Sequence, residues 1–410
     1  MYEGKIIKFY REKSQLTQEQ LGRGICSDTH ISKIERGSTE YSPEIITFLS
    51  KRLQIDISLE AIRLKNIRTR LHYWHDVIIE QLFEEMAMLY EELEQEPLIQ
   101  LSDYQPLYNL LKARYYLMHN QADKAYKVIK IFHKDVQQLP LYESNLYKHV
   151  MGMYYMAKQE YLKAIDTLTA IVHEDYNNPE YYYHLASAYH AIQSPVMAYF
   201  YAEKSLAFFK GINSFLRIID AEMLMLIQVK DEKSRDFKET IRRFEKLIQS
   251  CDICQAPVRK ARVLHNLAYE YMRRENYKLA SKYYQQSMNL KEKKTGGYLL
   301  SLEGYIRSCL HGNLLPSEEL MQITKDGLAL AKKLKEIFYM HLLQLLLLLI
   351  QNREQEYHLY LSDIALPKFR ESGNTYLIQN SEKELFAFYM KTNQPDKALE
   401  IANIVLNKVN

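Results

Sequence analysis

Apolar positions along this chain recur at helical spacing, and the polar residues between them mark where the helices start and stop. In residues 16–37, Leu21, Ile25, Ile31 and Ile34 form a small shared apolar face across two short segments. Thr17 with Gln20 three residues on makes a capping box, so a helix starts there. Ser27 caps a second helix, with Asp28 in its first turn where the helix dipole favours an anion. Gly37 ends that helix at a position where positive φ is usual. The pattern predicts two helices joined by a tight turn, the second offering its N-terminal side chains outward. That is the geometry of a helix-turn-helix whose second helix enters the major groove.

Beyond residue 100 the pattern repeats. Ala113 precedes Tyr116 and Ala125; Gly152 precedes Tyr155 and Ala164; Ala186 precedes Tyr189 and Ala198; Ala268 precedes Tyr271 and Ala280. Each time a small residue is followed three later by Tyr, and nine after that by Ala. These residues resemble positions 8, 11 and 20 of a tetratricopeptide (TPR) repeat, where small residues let two helices approach closely. Tyr at position 11 is expected to fill the space between hairpins. A last copy, Phe386, Tyr389 and Ala398, departs by placing a ring at position 8. Between the clear copies, one poorly matching unit fits near 214–250 and two more between about 297 and 378. The expected fold is all-α: an N-terminal helix-turn-helix domain (1–58), connecting helices (59–96), and a right-handed TPR superhelix of about eight or nine hairpins (97–410). The apolar run 342–350 is too short to span a membrane and reads as a helix buried on every side.

Composition supports a helical chain. Only 12 of 410 residues are Gly and 10 are Pro, too few for a loop-rich fold. Residues 1–70 carry 13 Lys and Arg against 9 Asp and Glu, while the whole chain nets only +3. The positive excess therefore sits at the N-terminal end, where phosphate contact is expected. The start of the chain has no secretory signal pattern, and four cysteines form no disulfide framework, so a reducing cytoplasm is expected. Cys251 and Cys254 have C-x-x-C spacing with nothing to complete a zinc tetrad, and read as two half-buried thiols near a helix start. No nucleotide, metalloprotease or hydrolase motif occurs, so the expectation is no enzyme, no cofactor and no metal.

Residues 4–57 resemble the lambda-repressor-like (XRE) DNA-binding domain through Leu16-Thr17-Gln18 and Ser32-Lys33-Ile34-Glu35-Arg36-Gly37. Together with the repeats, the chain resembles the Rgg/Rap/NprR/PlcR/PrgX group of peptide-responsive regulators of Gram-positive bacteria. Its length and repeat number are most like the NprR branch, since the shorter PlcR-type array would end well before residue 410. The resemblance implies that Gln18 anchors a phosphate and that Ser27, Asp28, Thr29 and His30 face bases, with Lys33 and Arg36 close by. It also implies an internal ion pair between Arg11 and Glu35. In TPR arrays positions 2, 5, 6, 9 and 12 line the concave face, which here nominates Arg114, His149, His184, His265, Asn266 and Tyr269. An amide such as Asn266 can both donate to and accept from a peptide backbone. Arg114 matches an early-repeat Arg that the family uses in its ligand response.

The implied function is a transcriptional regulator switched by a short secreted and re-imported peptide. It would bind double-stranded DNA at a dyad-symmetric operator as a homodimer or higher oligomer, without membrane attachment. Two alternatives keep the fold. One is a peptide-controlled inhibitor of a sporulation response regulator, compatible with the acidic positions Glu84, Glu85, Glu91 and Glu92. The other is a phage or plasmid repressor whose repeats serve only oligomerisation.

Overall fold

A computed structural model describes residues 2–407 except 102, 134–135, 230–236 and 372–374. Every regular element among the described residues is helical. The chain divides into two compact units, Met1–Lys158 with Ala170–Asn177, and Gln159–Thr169 with Asn178–Asn410. The fold class is an N-terminal helix-turn-helix domain followed by TPR-like helical hairpins.

The first unit opens with α1 (Tyr2–Lys13), α2 (Gln18–Gly22), α3 (Asp28–Glu35) and α4 (Pro43–Leu53). Its core is Ile7, Leu21, Ile31, Ile34, Leu49, Leu53 and Ile57, with Ile25 packed against it. The expected shared face of the two short helices is therefore the centre of the head. At Gly4 the backbones of α1 and α3 nearly touch: a Cβ there would lie 2.2 Å from the Ile34 carbonyl oxygen. Then come α5 (Ile57–Glu80) and α6 (Phe83–Glu94). Tyr10 on α1 donates to Glu60 at 2.8 Å. Arg63 pairs with Glu60 at 2.7 Å, and Arg70 with the buried Glu96 at 3.0 Å. This ladder fastens the head to the connecting helices. The unit continues with α7 (Gln105–Met118), α8 (Ala122–Ile129) and α9 (Leu141–Ala157).

Beyond α9, α10 (Tyr161–Thr169) belongs to the second unit and the short α11 (His173–Tyr176) to the first. The second unit then runs α12 (Tyr181–Ala191), α13 (Pro195–Gly211), α14 (Phe215–Gln228), α15 (Phe237–Ile253), α16 (Pro257–Arg273), α17 (Tyr277–Asn289), α18 (Gly296–His311), α19 (Ser317–Leu334) and α20 (Ile337–Ile350). It ends with α21 (Glu354–Tyr360), α22 (Leu366–Glu371), α23 (Thr375–Lys391) and α24 (Pro395–Asn407). The poorly matching repeat falls on α14 and α15, with 230–236 outside the described residues.

All eight small residues of the four clear copies are buried. The Tyr at position 11 stacks inside its own hairpin as well as between hairpins. Tyr189 stacks on Tyr201 at 5.5 Å and 7°, and Tyr271 on Tyr283 at 5.5 Å and 10°. Each ring thus stacks within its own hairpin, against a ring three residues past the position-20 Ala, and Tyr271 also meets Phe237 of the preceding hairpin edge-on at 5.6 Å, as expected between hairpins. Phe386 in the last copy is 40 % exposed while Leu385 is fully buried, so the chain turns the bulky ring out of the close approach. Helix α20 is buried on two sides: Leu343, Leu346, Leu347 and Ile350 join one cluster, and Leu342, Leu345 and Leu348 join another. No helix of the described residues is long and apolar enough to cross a membrane.

Candidate functional site

The head presents its second helix as the caps dictate. Thr17 Oγ1 accepts from the Gln20 amide at 3.1 Å, and Gln20 Oε1 accepts from the Thr17 amide at 2.8 Å. Ser27 Oγ accepts from the His30 amide at 3.2 Å, starting α3. Gly24 and Gly37 have φ of +72° and +68°, so the turn before α3 and the stop after it both use a conformation that favours glycine. Arg52 locks the turn from outside, its Nη1 donating to the Leu21 and Arg23 carbonyls at 2.8 and 2.6 Å. These are carbonyls that the end of α2 would otherwise leave unsatisfied. The role of Arg52 was not read from the sequence, where it is one cation near the end of another helix.

Ser27, Asp28, Thr29, Lys33 and Arg36 are exposed, and His30 is half-buried. Asp28 Oδ1 accepts from the Thr29 amide at 2.7 Å. Arg36 Nη2 donates to Ser32 Oγ at 2.6 Å. Gln18 is half-buried, and its amide nitrogen donates to Glu35 at 2.8 Å. Arg11 Nε reaches Glu35 at 2.6 Å, so the internal pair is present.

In the first unit the structure corrects two placements. Arg114 is 1 % exposed, and its Nη1 lies 2.7 Å from His75 Nε2 on α5, whose Nδ1 is 2.7 Å from the Tyr142 hydroxyl. His149 is fully buried, with Nδ1 2.8 Å from the Tyr176 hydroxyl. Burial beside the Arg114 guanidinium pushes the His75 pKa well below its ordinary value, so that ring is neutral. These side chains brace α5, α7, α9 and α11, and neither Arg114 nor His149 offers itself to a ligand.

The second unit brings Asn266 and Tyr269 onto one solvent-facing stripe of α16. Asn266 is half-buried, and its amide has no hydrogen-bond partner among the described residues. Arg262, one turn before it, shares this stripe and is exposed. It occupies position 2 of the same repeat, a lining position that the sequence reading passed over. His265 turns away, its Nδ1 3.0 Å from the buried Ser301 hydroxyl, and burial lowers its pKa to about 3. His184 on α12 is half-buried with Tyr183 beside it. Below the stripe, Asp220 on α14 receives Arg259 (2.9 Å) and Arg262 (2.8 Å), with Arg217 Nη1 at 3.6 Å. The Arg217 guanidinium also lies over the Tyr183 and Phe209 rings, at 4.3 and 4.7 Å.

The two thiols lie at the end of α15, with Cys254 three residues before the start of α16. Cys251 is 1 % exposed, and burial pushes its pKa up to about 11, which leaves it unreactive.

Residues 7–59 match the helix-turn-helix family HTH_3. Over 390 residues the chain is 22 % identical to the transcriptional activator NprA of Geobacillus stearothermophilus, covering 90 % of this chain and 93 % of that one. Among solved structures, the apo quorum sensor NprR from B. thuringiensis superposes with a TM-score of 0.67 at 20 % identity, covering 84 % of this chain and all but 1 % of the other. NprR in complex with its cognate peptide NprX gives 0.68 at 19 % identity, covering 84 % of this chain and 100 % of the other. The structural likenesses speak for the fold. Head and repeats together define a helix-turn-helix regulator with a helical-repeat body. The likeness to NprA spans both parts.

Proposed function

We propose that this protein is a DNA-binding transcriptional regulator whose activity is switched by a short peptide held on the inner helix faces of its repeats. The observation that carries the reading is the Asn266 amide, which faces solvent with no protein partner among the described residues, between Arg262 and Tyr269. An amide in that position can donate to and accept from one peptide unit, so it holds an extended backbone irrespective of side chains. His184 on α12, an inner helix on the far side of α14, is the second contact we assign. NprA is named a transcriptional activator, and NprR is a quorum sensor seen with a cognate peptide. Both names agree with this reading.

The functional boundaries we assign are 1–58 for the DNA head, 59–96 for the connecting helices, and 97–410 for peptide binding and oligomerisation. Thr29, His30 and Lys33 would enter the major groove, and two heads would read half-sites related by a dyad. The protein would act in the cytoplasm as a dimer or higher oligomer. Of the acidic positions that suggested a response-regulator surface, Glu92 is taken by Arg70 and Glu85 by the Tyr73 hydroxyl. DNA control is therefore the output we favour.

The test is calorimetric titration of the full chain with peptides encoded in small reading frames beside its gene. Micromolar or tighter binding, weakened by about 1–3 kcal/mol in Asn266→Ala, is the expected result. No binding from any neighbouring peptide would favour a repressor whose repeats only oligomerise.

A further inference from the structure

The floor of the α16 stripe gathers several cations. Arg217, Arg259 and Arg262 converge on the single buried carboxylate of Asp220. Glu180, 3.6 Å from Arg217 Nη2, is a second carboxylate at the far side of that cluster. Lys291, just past α17, adds a fourth cation. Its Nζ donates to the Gly297 carbonyl at 2.9 Å and to Ser301 Oγ at 2.6 Å, and no carboxylate among the described residues meets it. Ser301 in turn contacts Ser287 at 3.1 Å and His265 at 3.0 Å, so every group behind the ammonium is neutral. Arg262 spends one nitrogen on Asp220, and its other guanidinium nitrogens have no hydrogen-bond partner among the described residues. Its side chain is 44 % exposed.

Two cations with open donors thus serve one turn of α16: Arg262 lies on it, and Lys291 reaches the Ser301 hydroxyl that His265, three residues on, also contacts. Their proximity is felt: burial, and after it the charge of Arg262, lower the Lys291 pKa to about 8. A half-buried ammonium that feels a guanidinium's charge is unfavourable unless an anion completes the site. A guanidinium fork with an adjacent ammonium suits the two oxygens of a carboxylate.

We propose that Arg262 and Lys291 form the receptor for a carboxylate of the bound peptide, one turn along α16 from the Asn266 amide that grips its backbone. The inference rests on the peptide reading above and narrows it to peptides carrying an anion at that point. That anion is either the C-terminal carboxylate or an Asp or Glu side chain.

The test follows Lys291 itself in the full chain. An amine-acetylating reagent modifies lysines, and mass spectrometry follows Lys291 against the exposed Lys293 and Lys294. Millimolar N-acetylglycine should slow acetylation of Lys291 several-fold and leave the two reference lysines unchanged. N-acetylglycinamide, which lacks the charge, should have no effect, and Arg262→Gln should abolish the protection. Equal slowing by the amide, slowing by inorganic phosphate alone, or protection that survives Arg262→Gln would each overturn the carboxylate site.

A peptide found by calorimetry then separates the two sources. Amidating its C-terminus, or changing its acidic side chains to amides, should weaken binding at least tenfold in one case. Peptide binding that depends on Asn266 but is indifferent to both changes sinks this inference alone. Protection by N-acetylglycine with no peptide binding sinks the peptide reading and keeps the carboxylate site.

Discussion

The Gln18 side chain donates to the same Glu35 carboxylate that Arg11 grips, at 2.8 Å and 2.6 Å respectively. One buried anion therefore ties α1, α2 and α3 together, and α3, the helix we assign to DNA, is positioned through it. Removing it strands a guanidinium and an amide at 11 % exposure or less for the Arg11 side chain and its partner. Glu35→Ala is expected to cost about 3 kcal/mol, at the low end for breaking a buried pair. Hydrogen exchange should show the loss in the α2 and α3 amides first, and unchanged protection there would refute the central role of Glu35.

Lys33 and Arg36 are both exposed cations on or just after α3, yet they should behave differently. Arg36 is engaged with Ser32 through its Oγ and carbonyl, whereas the exposed Lys33 side chain has no hydrogen bond or ion pair among the described residues. Lys33→Ala should weaken DNA binding across sequences and reduce the slope of log affinity against log salt by about 1, the signature of one lost phosphate contact. Thr29→Ala should instead change which base pairs are preferred. A salt slope untouched by Lys33→Ala would remove that residue from the interface.

Gly304 on α18 sits against the ring of Tyr284, and a Cβ there would lie 2.4 Å from its Cζ. Tyr284 is buried in the cluster beneath α16, so it has little room to yield. Gly304→Ala should therefore destabilise the second unit by about 1–3 kcal/mol through overpacking. Adding Tyr284→Leu should recover part of that loss in urea unfolding. Additive losses would show that the clash is not the cause.

Much of this was legible in the sequence where a local signal carries the structure. Thr17, Gln20, Ser27 and Gly37 fix the head because caps and a positive φ act within a few residues. The small–Tyr–Ala register gave the hairpins and, through α16, the Asn266–Tyr269 stripe. It did not give Arg217 and Asp220, because the repeat that holds them lacks the register altogether. Nor could it show that Arg114 and His149 are sealed in: their partners His75 and Tyr176 are 39 and 27 residues away, on elements outside the repeat pattern. Gly304 was missed for a related reason, since its repeat has no Ala at position 20.

Few glycines does not mean few left-handed residues. Asn120, Asn213, Asn313, Asn352 and Asn393 all close helices with φ near +55°, and so does Glu275 at +58°. Asn tolerates this region, but Glu has no such excuse. Glu275→Gly should raise stability by about 0.5–1 kcal/mol, since relief of the strained φ outweighs the added freedom of the unfolded chain. A drop in the thermal midpoint would mean that the Glu275 side chain contributes more than its backbone costs.

His265 makes the second unit sensitive to acid. In the folded state the ring, held against Ser301 and near Lys291, stays neutral down to about pH 3, whereas in an unfolded chain it takes a proton near pH 6.5. Between those values the unfolded state binds more protons, so stability falls as pH drops through that window, by at most about 1.4 kcal/mol per pH unit from this one group. Surface carboxylates add their own dependence, which His265→Asn leaves in place. Urea titrations at pH 7 and pH 5 should therefore show a smaller difference for His265→Asn than for the native chain. If both chains lose the same stability between the two conditions, the ring is already charged in the folded protein, and the neutral backing behind Lys291 goes with it.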